Sequence, residues 1–220
     1  FQPNSDSDYI NLITNKLGTK HHTIYLDTPE LADSLKEAMI ARDLPGMADV
    51  DSSLLLFCKA VKKDATVSIM GECADEIFGG YPWFFREDAL SSGTFPWSIN
   101  IEGRQHLLNP DLQEKINLKE YIDYRYNESL NEVELLNVDS KETKEKRKIT
   151  YLTMNWFMQT LLSRTDRMGM HNGFELRVPF CDYRLAEYVW NIPWEIKALH
   201  GREKGLLRYI MKDELPKEIV

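Results

Sequence analysis

The sequence lacks long apolar runs and an excess of positive charge, and it contains only three cysteines among 220 residues. No apolar stretch approaches the roughly 20 residues that a membrane-spanning helix needs, so no membrane span is predicted. A net charge of −8 argues against long-range attraction to nucleic acid or to an anionic membrane. Three widely spaced cysteines form neither a disulfide framework nor a zinc pattern, and a reducing cytoplasm is the simplest interpretation.

The composition is that of a folded globular protein. Hydrophobic residues make up 43% and charged residues 28% of the chain, which argues against disorder. A chain of 220 residues is long enough for one sizeable core or at most two small domains. Cys58, in the run Leu-Leu-Leu-Phe-Cys-Lys, is predicted to be a buried helix residue, because free cysteine is commonly buried.

Helical and strand patterns alternate over the first 85 residues. Apolar spacing and capping residues predict helices over 6–17, 28–42 and 51–63, with strands over 21–27 and 65–70. The second strand carries no charge and only two small hydroxyls, which predicts that other elements cover both of its faces. This alternation predicts an α/β fold, with a parallel sheet and crossover helices.

The remainder of the chain is predicted to be mainly helical. Residues 91–110 are interpreted as an irregular connection, and residues 139–148 as a solvated loop together with the first helical turn that follows it. Helices are predicted over 118–136, 144–162, 183–190 and 203–212. The chain is therefore divided into an α/β part over 1–85 and a mainly helical part over 86–220.

The segment with the clearest chemistry is Met-Gly-Glu-Cys-Ala-Asp-Glu-Ile-Phe-Gly-Gly-Tyr, over residues 70–81. It follows a predicted strand directly, and ligands of open parallel sheets bind beyond the carboxyl ends of strands. Three carboxylates, Glu72, Asp75 and Glu76, would repel one another there unless a cation lay among them. One carboxylate can hold Mg²⁺ against phosphates, while a second orients an amine or takes a proton. On a helical turn, Glu72 and Asp75 would share a face.

A purely structural interpretation of this segment stays open. Acidic residues in the first turn of a helix stabilise its positive end. Gly79 and Gly80 would then form the cap and turn that end the helix.

Arginines and acids also alternate with apolar residues over 163–170 and 175–182. Arginine is the natural bidentate partner of carboxylates and phosphates. Asp166 and Arg167 are therefore candidates for a substrate-binding pocket. For Arg177, an ion pair with a neighbouring acid is at least as good an interpretation as substrate contact.

These segments together resemble the asparagine synthase family. Residues 70–81 are similar to the family's Ser-Gly-Glu-Gly-Ser/Ala-Asp-Glu-Leu-Phe-Gly-Gly-Tyr, and 18–22 to its Leu-Gly-Thr-x-His-His. Residues 166–170 and 175–182 resemble Asp-Arg-Met-Ser-Met and Glu-Val-Arg-Val-Pro-Phe-Leu-Asp, and 203–208 resemble Glu-Lys-x-x-Leu-Arg. The order and approximate spacing fit over essentially the whole chain. Without this resemblance, a lysine at the start of a helix would simply be expected to be solvated.

The resemblance implies an ATP-pyrophosphatase-like fold, of the adenine nucleotide alpha hydrolase type. It implies that ATP and Mg²⁺ adenylate the side-chain carboxylate of aspartate and release pyrophosphate. Ammonia from glutamine, delivered by a separate N-terminal glutaminase domain, would then attack the acyl-adenylate and give asparagine and AMP.

The same resemblance implies roles for four residues of two of these motifs. Asp75 would be a Mg²⁺ ligand, and Glu72 would handle the ammonia proton or orient the intermediate. Lys204 would stabilise negative charge on pyrophosphate or on the intermediate. Gly71 would let the backbone approach the nucleotide.

The sequence departs from the family pattern in several places. The family's upstream Ser-Gly-Gly-x-Asp-Ser loop, which cradles pyrophosphate, has no counterpart here, and its aspartate would be the second Mg²⁺ ligand. Met70 and Gly169 stand where the family usually has serine. We therefore expect this stretch to be a fragment that starts after the ATP-binding loop and that cannot make asparagine alone. An unpaired sheet edge would favour self-association, so a homodimer is one expected state.

Two alternatives stay open. A β-lactam synthetase or a lasso-peptide cyclase would form an amide by attack of an internal amine and would need no ammonia. A non-catalytic scaffold could keep the fold without the ATP chemistry. Met70 and the missing loop favour the scaffold, whereas the retained Glu72, Asp75 and Lys204 oppose it.

Overall fold

A computed structural model describes residues 6–220 as a helix-rich α/β structure with a small parallel sheet. The first part contains α1 (Asp6–Leu17), α2 (Thr28–Asp33), α3 (Leu35–Arg42), α4 (Ala48–Val61), β1 (Val67–Ile69) and α5 (Ala74–Phe78). The bounds of α1 are those predicted. The predicted helix over 28–42 is divided at Ser34.

The start of α2 is capped by the side chain of Asp27, the residue just before the helix. An oxygen of the Asp27 carboxylate accepts the backbone N–H of Glu30 at 2.9 Å, and the Glu30 carboxylate accepts the N–H of Asp27 at 3.2 Å. This reciprocal capping box satisfies two otherwise unpaired backbone donors.

The strand predicted over 21–27 is wrong, because these residues are neither helix nor strand. The partner of β1 comes instead from the far end of the chain: β2 (Glu175–Arg177) pairs with it in parallel, and Ser68 stands opposite Leu176. A strand forms where a neighbouring ladder satisfies its backbone groups, and apolar alternation alone supplies no such neighbour.

The cover predicted for both faces of β1 is also wrong for the part of the chain that the structure describes. Ile69 is 74% exposed and Val67 is 39% exposed, while Ser68 between them is half-buried. The uncharged composition of the segment permits burial on both faces, but the described elements cover one face only.

The second part is mainly helical, as predicted, although several bounds differ. It contains α6 (Glu87–Leu90), α7 (Ile101–Gln105), α8 (Pro110–Lys115), α9 (Leu118–Asn131), α10 (Lys141–Leu152), α11 (Gln159–His171), α12 (Tyr183–Trp190), α13 (Trp194–Lys197) and α14 (Gly205–Ile210). The bounds of α12 are those predicted, and α7 lies inside the stretch interpreted as irregular. Short 3₁₀ turns occupy Pro82–Phe84, Pro96–Ser98, Pro179–Cys181 and Leu199–Gly201.

A π-helical turn, Thr153–Met158, joins α10 and α11 into one long helical rod. The rod begins at Ser140, whose hydroxyl accepts the backbone N–H of Thr143 at 3.1 Å. The helix thus begins at Lys141, three residues before its predicted start at residue 144, and the predicted loop is shorter than expected. The solvation predicted for this charged stretch is wrong at Lys146, which is buried inside the molecule.

Within residues 6–220, three buried clusters hold these elements together. Leu55, Cys58, Met168 and Phe174 join α4 to α11, which confirms the burial predicted for Cys58. A second, aromatic-rich cluster contains Phe84, Phe95, Ile149 and Leu152, and a third contains Ile77, Phe78 and Val189. The first cluster anchors α11 and the third anchors α5, so the two helices that flank the motif acids are fixed independently. No helix within residues 6–220 is both long enough and apolar enough to cross a membrane.

Close packing explains one departure from the family pattern. A Cβ atom at Gly169 would lie 2.6 Å from the carbonyl oxygen of Phe174 and 3.1 Å from Leu176. The chain turns back tightly from α11 into β2 at this point, with the N–H of Phe174 donating to the carbonyl of Gly169 at 2.9 Å. A serine side chain has no room here without movement of the backbone.

Candidate active site

The motif acids lie at the carboxyl end of β1, where the chain turns into α5. Cys73 has a left-handed backbone, with φ of 73°, and α5 begins only at Ala74. Glu72 therefore precedes the helix, and the prediction that it shares a helical face with Asp75 is wrong. α5 ends at Gly79, also left-handed with φ of 72°, which confirms the predicted glycine cap.

Two side chains from α11 hold the carboxylate of Glu72. The Thr165 hydroxyl donates a hydrogen bond to Oε2, and Nη2 of Arg164 lies 3.4 Å from Oε1. Thr165 is 1% exposed, and the side chains of Arg164 and Glu72 are 13% and 19% exposed. Both oxygens of Glu72 are thus engaged, which gives this carboxylate a defined orientation.

The carboxylate of Asp75 meets Lys204, the motif lysine from the far end of the chain. The Lys204 Nζ atom lies 2.8 Å from Oδ1 of Asp75, and each side chain is about one-third exposed. Lys204 has φ of 51° and precedes α14, as Cys73 precedes α5, so a residue with a left-handed backbone lies just before each of these short helices. A Cβ atom at Gly80 would lie 1.7 Å from Oδ1 of Asp75. The missing side chain at Gly80 therefore makes the space that the Asp75 carboxylate occupies.

Glu76, the third acid, turns into the protein. It is 1% exposed, and its carboxylate accepts a hydrogen bond from the Tyr81 hydroxyl at 2.6 Å. Burial raises the pKa of Glu76 above its usual range, and the charges of Asp75 and Glu72 act in the same direction. The pKa of Tyr81 is raised by its own burial first and by the hydrogen bond to Glu76 next. Glu76 therefore serves to fix the segment after α5, and the sequence pattern contains no signal that separates it from Asp75.

Cys73, between Glu72 and Ala74, is a buried free thiol. Its burial raises its pKa, and the neighbouring Cys181 thiol adds to the effect. A thiol with a raised pKa is a poor nucleophile at neutral pH. We therefore assign Cys73 no catalytic role.

The structure does not bring the predicted pocket residues Asp166 and Arg167 to this group. Arg167 forms an ion pair with Asp43, on the loop after α3, and Asp166 is exposed. Neither side chain contacts Glu72 within the described residues. Helical periodicity explains the difference, because Thr165, Met168 and Gly169 form the buried face of α11 and leave residue 166 outside. That periodicity marks Thr165 as a buried position, but only the packing of α11 shows that it contacts Glu72.

Two smaller predictions concern Gly71 and Arg177. A Cβ atom at Gly71 would meet no atom of residues 6–220 within 4 Å, so the described part of the chain leaves the space in front of this residue open. Nε of Arg177 lies 2.8 Å from Oε1 of Glu175, and both side chains are more than half exposed. The ion-pair interpretation of Arg177 is confirmed with Glu175 as its partner.

No group of three or more histidine, cysteine or acidic side chains arranged to hold a metal occurs within the described residues. Asp75 supplies one carboxylate that is partly open to solvent. Mg²⁺ commonly takes one or two protein carboxylates, with phosphate oxygens and water completing its coordination. Asp75 could therefore be one ligand of such a metal. Lys204, which now pairs with the Asp75 carboxylate, would have to share or release that carboxylate.

Comparison with known proteins finds the same family over the full sequence. The family model for asparagine synthase matches residues 1–220. Asparagine synthetase [glutamine-hydrolyzing] 3 of Bacillus subtilis (strain 168) is 52% identical over 220 residues, covering 100% of this chain and 36% of the relative. Asparagine synthetase [glutamine-hydrolyzing] 1 of the same organism is 26% identical, covering 98% of this chain and 39% of the relative.

A mammalian relative matches at a similar level. The asparagine synthetase [glutamine-hydrolyzing] of Rattus norvegicus is 26% identical over 215 residues, covering 94% of this chain and 29% of the relative. The chain thus spans between 29% and 39% of the length of these three relatives.

Proposed function

The chain belongs to the asparagine synthase family, and from this premise we propose that it is the amide-forming part of a glutamine-hydrolysing asparagine synthase. In this proposal the complete protein adenylates the side-chain carboxylate of aspartate with ATP and releases pyrophosphate. Ammonia from glutamine then displaces AMP and leaves asparagine, with one proton passed to a base. A carboxylate oxygen is a poor leaving group, whereas AMP is a good one, which is why the ATP step precedes amide formation.

The observation that carries the proposal is the meeting of two motif residues from opposite ends of the chain. Lys204 and Asp75 lie 2.8 Å apart, in a partly exposed position. A lysine that is held at the start of a helix and reaches a carboxylate can neutralise phosphate charge when a nucleotide enters. The open space at Gly71 supports the approach of such a ligand to the backbone.

Asp75 would be the residue of this chain that holds Mg²⁺, which would supply positive charge against the phosphates. Lys204 would bind the pyrophosphate charge as it develops.

Glu72 is proposed as the group that accepts the ammonia proton or orients the attacking amine. Thr165 and Arg164 each engage one of its oxygens, so its carboxylate has a fixed direction. A general base must stand at a defined distance from the proton it removes, and a side chain held from two positions meets that need. Asp166 and Arg167 stay predicted substrate contacts, on the outer face of the same helix.

The remaining features of the proposal follow the family. The fold is of the ATP-pyrophosphatase type, and a glutaminase domain elsewhere in the protein supplies ammonia. We propose that the 220 residues alone do not make asparagine. The division near residue 85, a homodimer and a cytoplasmic location likewise stay predictions.

The test is pyrophosphate release by the protein in its full natural length, supplied with ATP, Mg²⁺, aspartate and ammonium. We expect aspartate-dependent release that Asp75→Asn reduces by at least ~100-fold, the scale of losing one group that stabilises developing charge. Asp64→Asn is the matched control, because Asp64 is exposed and lies just before β1. Folding of each variant is checked by its unfolding midpoint.

The other outcomes separate the alternatives. Release that needs no aspartate but depends on a different carboxylate, with an internal amine consumed, would favour a β-lactam synthetase or lasso-cyclase chemistry. A folded protein that neither releases pyrophosphate nor binds ATP would be a scaffold, and the proposal would be wrong.

A further inference from the structure

A polar cavity lies away from the motif acids, between the start of α10, the end of α12 and α13. Its volume is about 330 Å³. Its walls include the apolar side chains of Leu136, Ile192 and Trp190, together with three cations, Lys146, Arg147 and Lys197. None of the residues proposed for amide formation lines it.

Two of the three cations already have partners. Lys146 donates to the backbone carbonyl of Phe84, and its ammonium lies 4.8 Å from the centre of the Trp194 ring. Nε of Arg147 lies 3.3 Å from the carboxylate of Asp139. Both cations thus already have a partner in the protein, a carbonyl for Lys146 and a carboxylate for Arg147.

Lys197 differs from these two residues. It is 4% exposed, yet no hydrogen bond or ion pair joins its ammonium to any group in residues 6–220. The two acids of the wall do not serve it, since Asp139 is engaged by Arg147 and Glu195 lies exposed at the rim. A buried ammonium without a counter-charge is costly, and the positive charge of Arg147 nearby adds to that cost.

We propose that this cavity is a binding site for a small organic anion, carrying a carboxylate or a phosphate, whose charge is paired with Lys197. Arginine and lysine together favour oxyanions, because guanidinium groups offer paired donors that match two oxygens. The tryptophan and aliphatic walls provide apolar surface for the body of such a ligand, as small-molecule sites commonly do. The volume is also within the range of ligand pockets, roughly 300–1,000 Å³.

The site is tested by thermal unfolding of the protein in its full natural length, in phosphate, in acetate and in chloride at equal ionic strength. We expect phosphate or acetate to raise Tm by roughly 1–2 °C above chloride once its concentration exceeds Kd about tenfold. A response to phosphate but not to acetate indicates a phosphorylated ligand, and the reverse indicates a carboxylate. No response above that of chloride would overturn the proposal.

Three variants locate the response. Lys197→Met should abolish it, whereas Lys115→Met, which removes the same charge from an exposed position on α8, should leave it unchanged. Lys204→Met tests the other anion-binding position, because phosphate could bind where pyrophosphate is proposed to bind. A response that survives Lys197→Met, or that disappears only with Lys204→Met, would place the anion elsewhere and overturn the proposal.

A measurement on the unaltered protein covers the case in which Lys197→Met does not fold. Phosphate should slow the acetylation of Lys197 by a small amine-reactive acetyl donor such as acetic anhydride. It should leave the acetylation of Lys115 unchanged, as measured by peptide mass spectrometry. Equal acetylation of Lys197 with and without phosphate would contradict the site. Because none of these readouts uses asparagine formation, their failure would leave the proposed amide chemistry untouched.

Discussion

Replacing Lys197 by methionine should stabilise the protein at neutral pH, although it removes a buried side chain from a wall of packed residues. Burial lowers the pKa of Lys197 from 10.5 to about 8, and the charge of Arg147 acts in the same direction. The residue is 4% exposed, so solvent screening of this effect is small. Methionine has a similar length and carries no charge, which makes it the substitution closest to an uncharged lysine.

The size of the effect follows from proton linkage. The unfolded chain keeps its lysine proton up to about pH 10.5, whereas the folded chain releases it near pH 8. Each pKa unit corresponds to about 1.4 kcal/mol, so the charged form costs the folded state on the order of 3 kcal/mol. This cost is fully present below pH 8, decreases as pH rises, and is absent above about 10.5, where the lysine is neutral in both states.

The assay is denaturant unfolding of wild type, Lys197→Met and Lys115→Met at pH 7, 8, 9 and 10, in chloride without phosphate or carboxylate buffers. We expect Lys197→Met to be more stable than wild type at pH 7 and to lose that advantage steadily between pH 8 and 10. Lys115→Met should differ little from wild type throughout, since surface substitutions usually change stability by less than about 0.5 kcal/mol. A Lys197→Met variant that is less stable at pH 7, or whose difference from wild type does not depend on pH, would refute the reasoning.

Two further predictions concern the motif segment. Gly80→Ala should reduce pyrophosphate release much more than it reduces stability, because the new Cβ would displace the Asp75 carboxylate, whose Oδ1 lies 1.7 Å away; unaltered kinetics would contradict this. Glu76→Gln keeps the hydrogen bond from Tyr81 but removes a buried charge. Because burial raises the pKa of Glu76, wild-type stability should fall as pH rises from 4.5 through that raised pKa. The glutamine variant should lack this fall in unfolding midpoints and match or exceed wild type at pH 7, and an unchanged pH profile would assign the dependence to other groups.

Local interactions made part of this protein predictable from its sequence. The helix over 6–17, the helix over 183–190 and the glycine cap at Gly79 depend on neighbours within a few residues, and all three are confirmed. The burial of Cys58 is confirmed for the same reason, since it lies on the apolar face of a helix with a clear period. The motif order alone indicated the family.

Tertiary contacts decided the rest. β1 pairs with β2, a strand of three residues that is too short to show an alternating pattern in the sequence. Residues 21–27 have the pattern of a strand, but no described neighbour pairs with them. Thr165 and Arg164 reach Glu72 because the first core cluster fixes the rotation of α11, and no local pattern encodes that rotation. The same holds for Lys197: its sequence neighbours suggest an ordinary surface lysine, and only the tertiary surroundings of α13 bury it. Charges and strands depend on what lies opposite them in space, and that is a property of the folded chain.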